Sequence, residues 1–118
     1  MDSIRIFGYK SFKKLSVQLH PINLLIGANG AGKSNFLSLF EMLGNIYEKR
    51  LGAYVAQVGG VDKLLYQGRK VTDRIAVNLL IAKSEYDLAL LEADGKLIVE
   101  REVVGCYDVT IALYRYQA

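Results

Sequence analysis

The sequence predicts an α/β fold that passes into an antiparallel β-meander, and three observations carry that expectation. A nearly continuous apolar run, INLLI at 22–26, ends directly in a glycine-rich loop, as a strand buried on both faces does. From Lys33 the apolar residues Phe36, Leu39, Phe40, Leu43 and Tyr47 recur at three- and four-residue spacing, the period of a helix stripe. From about Val71 the pattern alternates in consecutive segments separated by turn residues, the period of half-buried strands. With 118 residues and 52% apolar content, the chain is large enough to build one core.

Each element follows in order. SIRIFGY at 3–9 alternates polar with β-branched and aromatic residues and reads as a strand. KSFKK at 10–14 turns the chain, LSVQL at 15–19 returns as a hairpin partner, and HP at 20–21 breaks it. The buried run, the glycine loop and the helix come next. Lys49 and Arg50 lie where cations favour a helix C-terminus, and Gly52 reads as its stop. AYVAQVGG at 53–60 is loop-like, and VDKLLYQG at 61–68 reads as a short helix closed by Gly68. RIAVNLLIA, YDLALLEA, KLIVEREVV and YDVTIALYRY read as four consecutive strands. ADGK at 93–96 places an Asp-Gly hairpin turn between two of them, with further turns expected at 83–85 and 105–106. There is no internal repeat, low-complexity tract or linker. The chain therefore divides into an α/β portion at 1–70 and an antiparallel β-portion at 71–118.

Charge narrows little. The balance is 15 basic against 12 acidic residues, which suits a phosphate-bearing ligand or a nucleic acid and equally an ordinary solvated surface. A single cysteine, Cys106, excludes an internal disulfide and points to a reducing compartment. MDSIRIFGYKSFKK carries an early acid and alternates, unlike a secretory signal. No apolar run approaches the roughly eighteen residues that span a bilayer. The expectation is a soluble, cytoplasmic chain with no membrane partner.

The sharpest local signal is Gly-Ala-Asn-Gly-Ala-Gly-Lys-Ser at 27–34, which fits the P-loop pattern G-x-x-x-x-G-K-[ST]. Gly27, Gly30 and Gly32 carry no Cβ, so main-chain N–H groups can face inward around a phosphate. Those donors meet a helix N-terminus, whose dipole also favours negative charge. The Lys33 ammonium can reach β- and γ-phosphates, and the Ser34 hydroxyl can complete a Mg²⁺ shell shared with phosphate oxygens. A chance match in a chain of this length has a probability on the order of one per cent. The strand before the loop and the helix after it reduce that further. Nucleotide binding is the expected function.

GANGAGKSN, the preceding FGYKSF and the later GGVDKLLYQG together resemble the N-terminal part of ABC-type ATPase heads of the SMC/RecF branch. Bacterial AAA family ATPases of that branch share G-x-N-G-x-G-K-S-N, an opening (N/G)-(F/Y)-K-S-F and a GG-x3-LL-x2-G segment. The resemblance covers roughly the first 70 residues well. Beyond them it is architectural, similar to the antiparallel β-subdomain of such heads. It implies a P-loop NTPase fold, an ABC-ATPase-like N-terminal lobe, in which Gly27, Ala28, Asn29, Gly30, Ala31, Gly32 and Lys33 cradle the phosphates of ATP. It further implies that Ser34 binds Mg²⁺, with Asn35 closing the motif, and that Lys10 and Ser11 lie near the base or the phosphates. Phe12 would pack under the sheet. In such proteins two heads sandwich ATP and hydrolysis releases them, so a homodimer or the rest of a larger ATPase is the implied partner, in DNA-related or defence processes. For Lys10, Lys13 and Lys14 a solvated turn is the competing reading, and Arg69 with Lys70 reads as solvated while leaving DNA contact open.

Hydrolysis in this class needs a carboxylate-bearing strand end for Mg²⁺ and a glutamate that orients water. The nearest stretch, LALLEAD at 88–94, lacks an Asp-Glu pair, and its Asp94 with Gly95 reads better as a turn. There is no Leu-Ser-Gly-Gly type signature. Gln57 and Gln67 fall in loop-like sequence, Gln117 lies at the chain end, and His20 reads as a loop residue. Tyr107, Tyr114 and Tyr116 alternate as in a packed strand rather than as a stacking platform. One buried strand and one substantial helix make the chain read as the first portion of a larger ATPase, with an open sheet edge for another chain to cover. The expectation is ATP binding without efficient hydrolysis. The alternative is a non-enzymatic nucleotide-binding or assembly module. A small P-loop kinase is disfavoured by the hairpin of about twenty residues before the loop.

Overall fold

The computed structural model describes residues 2–18, 30–105 and 110–113, with side chains placed at 2–18 and 34–105. The elements are β1 (Ser3–Tyr9), β2 (Phe12–Gln18), α1 (Gly30–Tyr47), α2 (Leu51–Val58), a 3₁₀ turn (Val61–Lys63), β3 (Arg74–Ile81), β4 (Ser84–Ala93), β5 (Lys96–Gly105) and β6 (Thr110–Leu113). The expected buried strand at 22–26, His20, Cys106 with its turn, and Tyr107, Tyr114, Tyr116 and Gln117 lie outside the described residues.

The described strands form one sheet in the order β2-β1-β3-β4-β5-β6, with each neighbouring pair antiparallel. Pairing of β1 with β3, which sets Ile6 opposite Val77, carries the sheet across the division at residues 70 and 71. Period-two alternation then puts Ile4, Ile6, Ile75, Val77, Leu88, Leu90, Leu97 and Val99 on one face, all buried. Over that face lie Phe36, Leu39, Met42 and Ile46 of α1 and Leu51, Tyr54 and Val55 of α2. Each such side chain contributes about 1.5–3 kcal/mol by leaving water. A bulge between Ala89 and Leu90 resets the register on β5, where Leu90 faces Val99 and Ala89 faces Arg101. The slip brings Glu102 to the buried side, where the Tyr86 hydroxyl donates to its carboxylate at 2.5 Å.

Alternation alone would put Tyr9 on the same side as Phe7, which is 44% exposed, yet Tyr9 is fully buried. Gly8 makes the difference. Its φ of +75° turns the strand, and a Cβ there would collide with the Arg74 carbonyl oxygen. The segment after the 3₁₀ turn then pairs with this strand end, through Tyr66 N–H to the Gly8 carbonyl and Lys10 N–H to the Leu64 carbonyl.

The meander agrees with the period-two reading, and the Asp-Gly turn is present: Asp94 and Gly95 both take positive φ between paired Ala93 and Lys96. The turn expected at 83–85 sits instead on Ala82 and Lys83, and β2 begins at Phe12 rather than residue 15. The segment 53–60 is not a loop but mostly helix α2, with Gln57 inside it, and Gly52 is the second residue of that helix rather than the stop of α1. Leu51, Tyr54, Val55 and Val58 carry a helical stripe, and burial of the first three outweighs the low propensity of Gly52. The stop of α1 is Lys49, left-handed at φ 61°, with Lys49 and Arg50 N–H groups closing onto the Ile46 and Asn45 carbonyls. Helix α1 also starts earlier than Lys33, at Gly30, and its buried stripe is rotated. Phe40 and Tyr47 are exposed while Met42 and Ile46 are in the core.

Candidate functional site

The turn between β1 and β2 is two residues long, because Tyr9 pairs directly with Phe12. Lys10 closes it in a left-handed conformation, φ 49°, which costs a non-glycine residue about 1 kcal/mol. The fold aims this turn at the first turns of α1. The Asn35 side-chain amide donates to the Ser11 hydroxyl at 2.8 Å, and the Lys10 ammonium donates to the Ser38 hydroxyl at 2.9 Å. Tyr9 reaches the same hydroxyl at 2.7 Å, and Ser38 donates to the Asn35 carbonyl at 2.8 Å. The Lys10 ammonium also lies 5.6 Å from the centre of the Tyr9 ring, within cation–π range.

Burial sets the electrostatics beneath the turn. Desolvation pushes the Tyr9 phenol well above its ordinary range, so it stays a neutral hydrogen-bonding group. Tyr54 is raised as well, first by burial and then by the nearby Glu41 charge. The neutral phenol brings no negative charge to the Lys10 ammonium, which the Tyr9 ring face and the Ser38 hydroxyl hold from below. Above it opens a cleft of about 470 Å³ lined by Lys10, Ser11, Asn35, Val58, Asp62, Lys63, Leu65 and Gln67. Its far wall is the segment 58–67, and the Asp62 carboxylate accepts the Arg69 N–H at 2.8 Å to hold that wall closed on itself. The volume falls within the range of small-molecule sites.

The structure brings Lys10, Ser11 and Asn35 together and places Ser34 exposed one residue before Asn35 on α1. Gly30, Ala31, Gly32 and Lys33 lie in the first turn of that helix, and Gly27, Ala28 and Asn29 lie outside the described residues. Lys13 and Lys14 are exposed, as are Arg69 and Lys70, whereas Lys10 is half-buried and bonded. Sequence reading did not single out Tyr9, Ser38, Asp62 or Lys63. Ser38 carried a usable signal, since it stands one helical turn after Ser34 and shares its face.

The donor set suits an anionic ligand: an ammonium, a hydroxyl and an amide lie together beside Asn35 and Ser38, one to two turns along α1 from its N-terminus. Among the described residues no cluster of His, Cys, Asp and Glu could hold a metal by itself. Among the described residues no helix is long and apolar enough to cross a membrane.

Comparison with known proteins adds to this geometry. The AAA ATPase domain family matches residues 1–111. The chain is 46% identical over 44 residues to the DNA replication and repair protein RecF of Parasynechococcus marenigrum (strain WH8102), an alignment covering 36% of this chain. That alignment spans 12% of the RecF protein. No solved structure matches the chain.

Proposed function

Because the chain belongs to the AAA ATPase domain family, we propose that it is the nucleotide-binding N-terminal portion of an ATPase head and that it binds ATP with Mg²⁺. The observation that carries this reading is the meeting of the turn at Lys10 and Ser11 with the first turns of α1, directly after the glycine loop. In this reading the backbone of residues 27–33 wraps the phosphates, Lys33 neutralises the β- and γ-phosphates, and Asn35 and Ser11 form the rim. Lys10 supplies a second cation from the opposite strand end. The Ser34 hydroxyl would help to hold Mg²⁺, which would supply charge neutralisation for the phosphates.

The complete protein would hydrolyse ATP through a second head or through further sequence. The name of its Parasynechococcus relative makes DNA the macromolecule to test first. Hydrolysis by the 118-residue chain is not expected. The stretch considered for a catalytic carboxylate is a hairpin end, with Glu92 accepting the Gly95 N–H at 2.7 Å. That observation favours, as a second reading, a nucleotide-binding or assembly module without turnover. Phosphate release by the purified chain that disappears in Lys33→Ala would refute the second reading.

Isothermal titration tests the first. ATP–Mg²⁺ should bind the wild-type chain and lose at least about a hundredfold in affinity with Lys33→Ala, as expected for a desolvated charge contact. Equal affinity for both chains would overturn it.

A further inference from the structure

Ser38 sits below the cleft and is not part of the P-loop pattern, yet its hydroxyl is saturated. A serine hydroxyl has one proton and two lone pairs. The Lys10 ammonium can only donate, so it takes one lone pair at 2.9 Å. The proton goes to the Asn35 carbonyl at 2.8 Å. Tyr9, whose ring is fully buried, therefore donates to the second lone pair at 2.7 Å. The one proton and both lone pairs of the Ser38 hydroxyl are therefore all used.

The consequence falls on Lys10. Its backbone N–H is tied to the Leu64 carbonyl at 2.8 Å, and its ammonium is tied to Ser38, so both ends of a four-carbon side chain are fixed. An unfixed lysine gives up rotamer entropy when it binds a ligand, whereas a fixed one has already lost it. Of the three ammonium donors, one points down to Ser38, and the others remain for the cleft that Lys10 lines.

We propose that Ser38 is a positioning residue, which holds the Lys10 ammonium over the cleft in the place where it meets nucleotide phosphate. The inference rests on the reading that this cleft takes ATP. Ser38 touches no ligand itself and acts only through Lys10.

A double-mutant cycle on the full chain tests it, with ATP–Mg²⁺ titrated calorimetrically into wild type, Ser38→Ala, Lys10→Met and the double variant. Ser38→Ala should weaken binding about tenfold, the size of a lost charge-assisted hydrogen bond. Lys10→Met should weaken it by at least as much, and Ser38→Ala should then cost nothing further in the Lys10→Met background. Ser38→Thr, which keeps the hydroxyl, should restore most of the affinity. Tyr9→Phe frees one lone pair of Ser38 but keeps its bond to Lys10, so it should lower the melting temperature and weaken binding by less than Ser38→Ala does. Equal losses from Ser38→Ala in both backgrounds would overturn the proposal, as would full affinity in Ser38→Ala. In either case, a loss of binding in Lys33→Ala would show that the nucleotide reading itself survives. If Lys33→Ala binds as wild type does, the nucleotide reading has failed and the role of Ser38 falls with it.

Discussion

The turn between β1 and β2 and the turn between β4 and β5 solve the same problem with opposite chemistry. Both join antiparallel strands through two residues. At the second, Asp94 and Gly95 take φ 52° and 77°, residue types that tolerate left-handed backbone, and the Gly95 N–H bonds to Glu92 within the same hairpin. At the first, Lys10 takes φ 49° although lysine gains nothing from that conformation, and the bonds of this turn run to α1 and to residue 64. Ala82 and Lys83 are left-handed too, at a third turn far from the cleft. Backbone strain alone therefore does not mark a site. The first turn differs from the Asp-Gly turn in that its Lys10 and Ser11 side chains bond to α1, and the proposed nucleotide site rests on that link.

Substitutions that separate the two turns test this contrast. The largest effect should come from Gly8→Ala. Its Cβ would strike the Arg74 carbonyl, and φ +75° is strained for alanine, so unfolding in urea should show a loss of about 2–4 kcal/mol. ATP binding should fall with it, since Gly8 turns Tyr9 and Lys10 toward α1. Next is Lys10→Gly, which removes strain and side chain together. Stability should change by no more than about 1 kcal/mol, while affinity for ATP–Mg²⁺ drops about tenfold. Asp94→Gly, the matching change at the other turn, should shift stability by a similar small amount and leave affinity untouched. Lys49→Gly should raise stability by about 0.5–1 kcal/mol in the same assay, because it relaxes the left-handed end of α1.

The smallest effect is a pH dependence. The Tyr9 and Tyr54 phenols are raised above the ordinary 10.0 of an unfolded chain. Between those values the unfolded state has lost protons that the folded state keeps, so stability falls as pH rises. Stability should hold up to about pH 10 and decline above it, and Tyr9→Phe should flatten the decline seen in thermal melts. A decline of unchanged slope in Tyr9→Phe would remove the buried phenol from the account.

The same contrast explains what could be read from sequence. The meander strands, β1 and the Asp-Gly turn follow from alternation and turn chemistry, which are local. Helix α2 was also written locally, in Leu51, Tyr54, Val55 and Val58, but Gly52 reads as punctuation until burial overrides it. Which stripe of α1 faces inward was not local. Phe40 and Tyr47 fit the helical period as well as Met42 and Ile46 do, and only the sheet decides between them. Of the candidate site, Lys10, Ser11 and Asn35 were named through motif resemblance, and in the structure Asn35 bonds to Ser11 while Lys10 bonds to Ser38 on the same helix. The inward turn of Tyr9 depends on Gly8 meeting Arg74, and the partners of Ser38 lie 28 and 29 residues away in sequence. No spacing rule reaches that far.

The central claim is that the turn at Lys10 and Ser11 and the start of α1 form one nucleotide site. Amide hydrogen exchange of the wild-type chain, with and without saturating ATP–Mg²⁺, tests it most directly. Added protection should appear in peptides covering residues 8–12 and in those covering 27–38, with none at 92–97. Protection at 27–38 with no change at 8–12, or protection that spreads equally to 92–97, would contradict it.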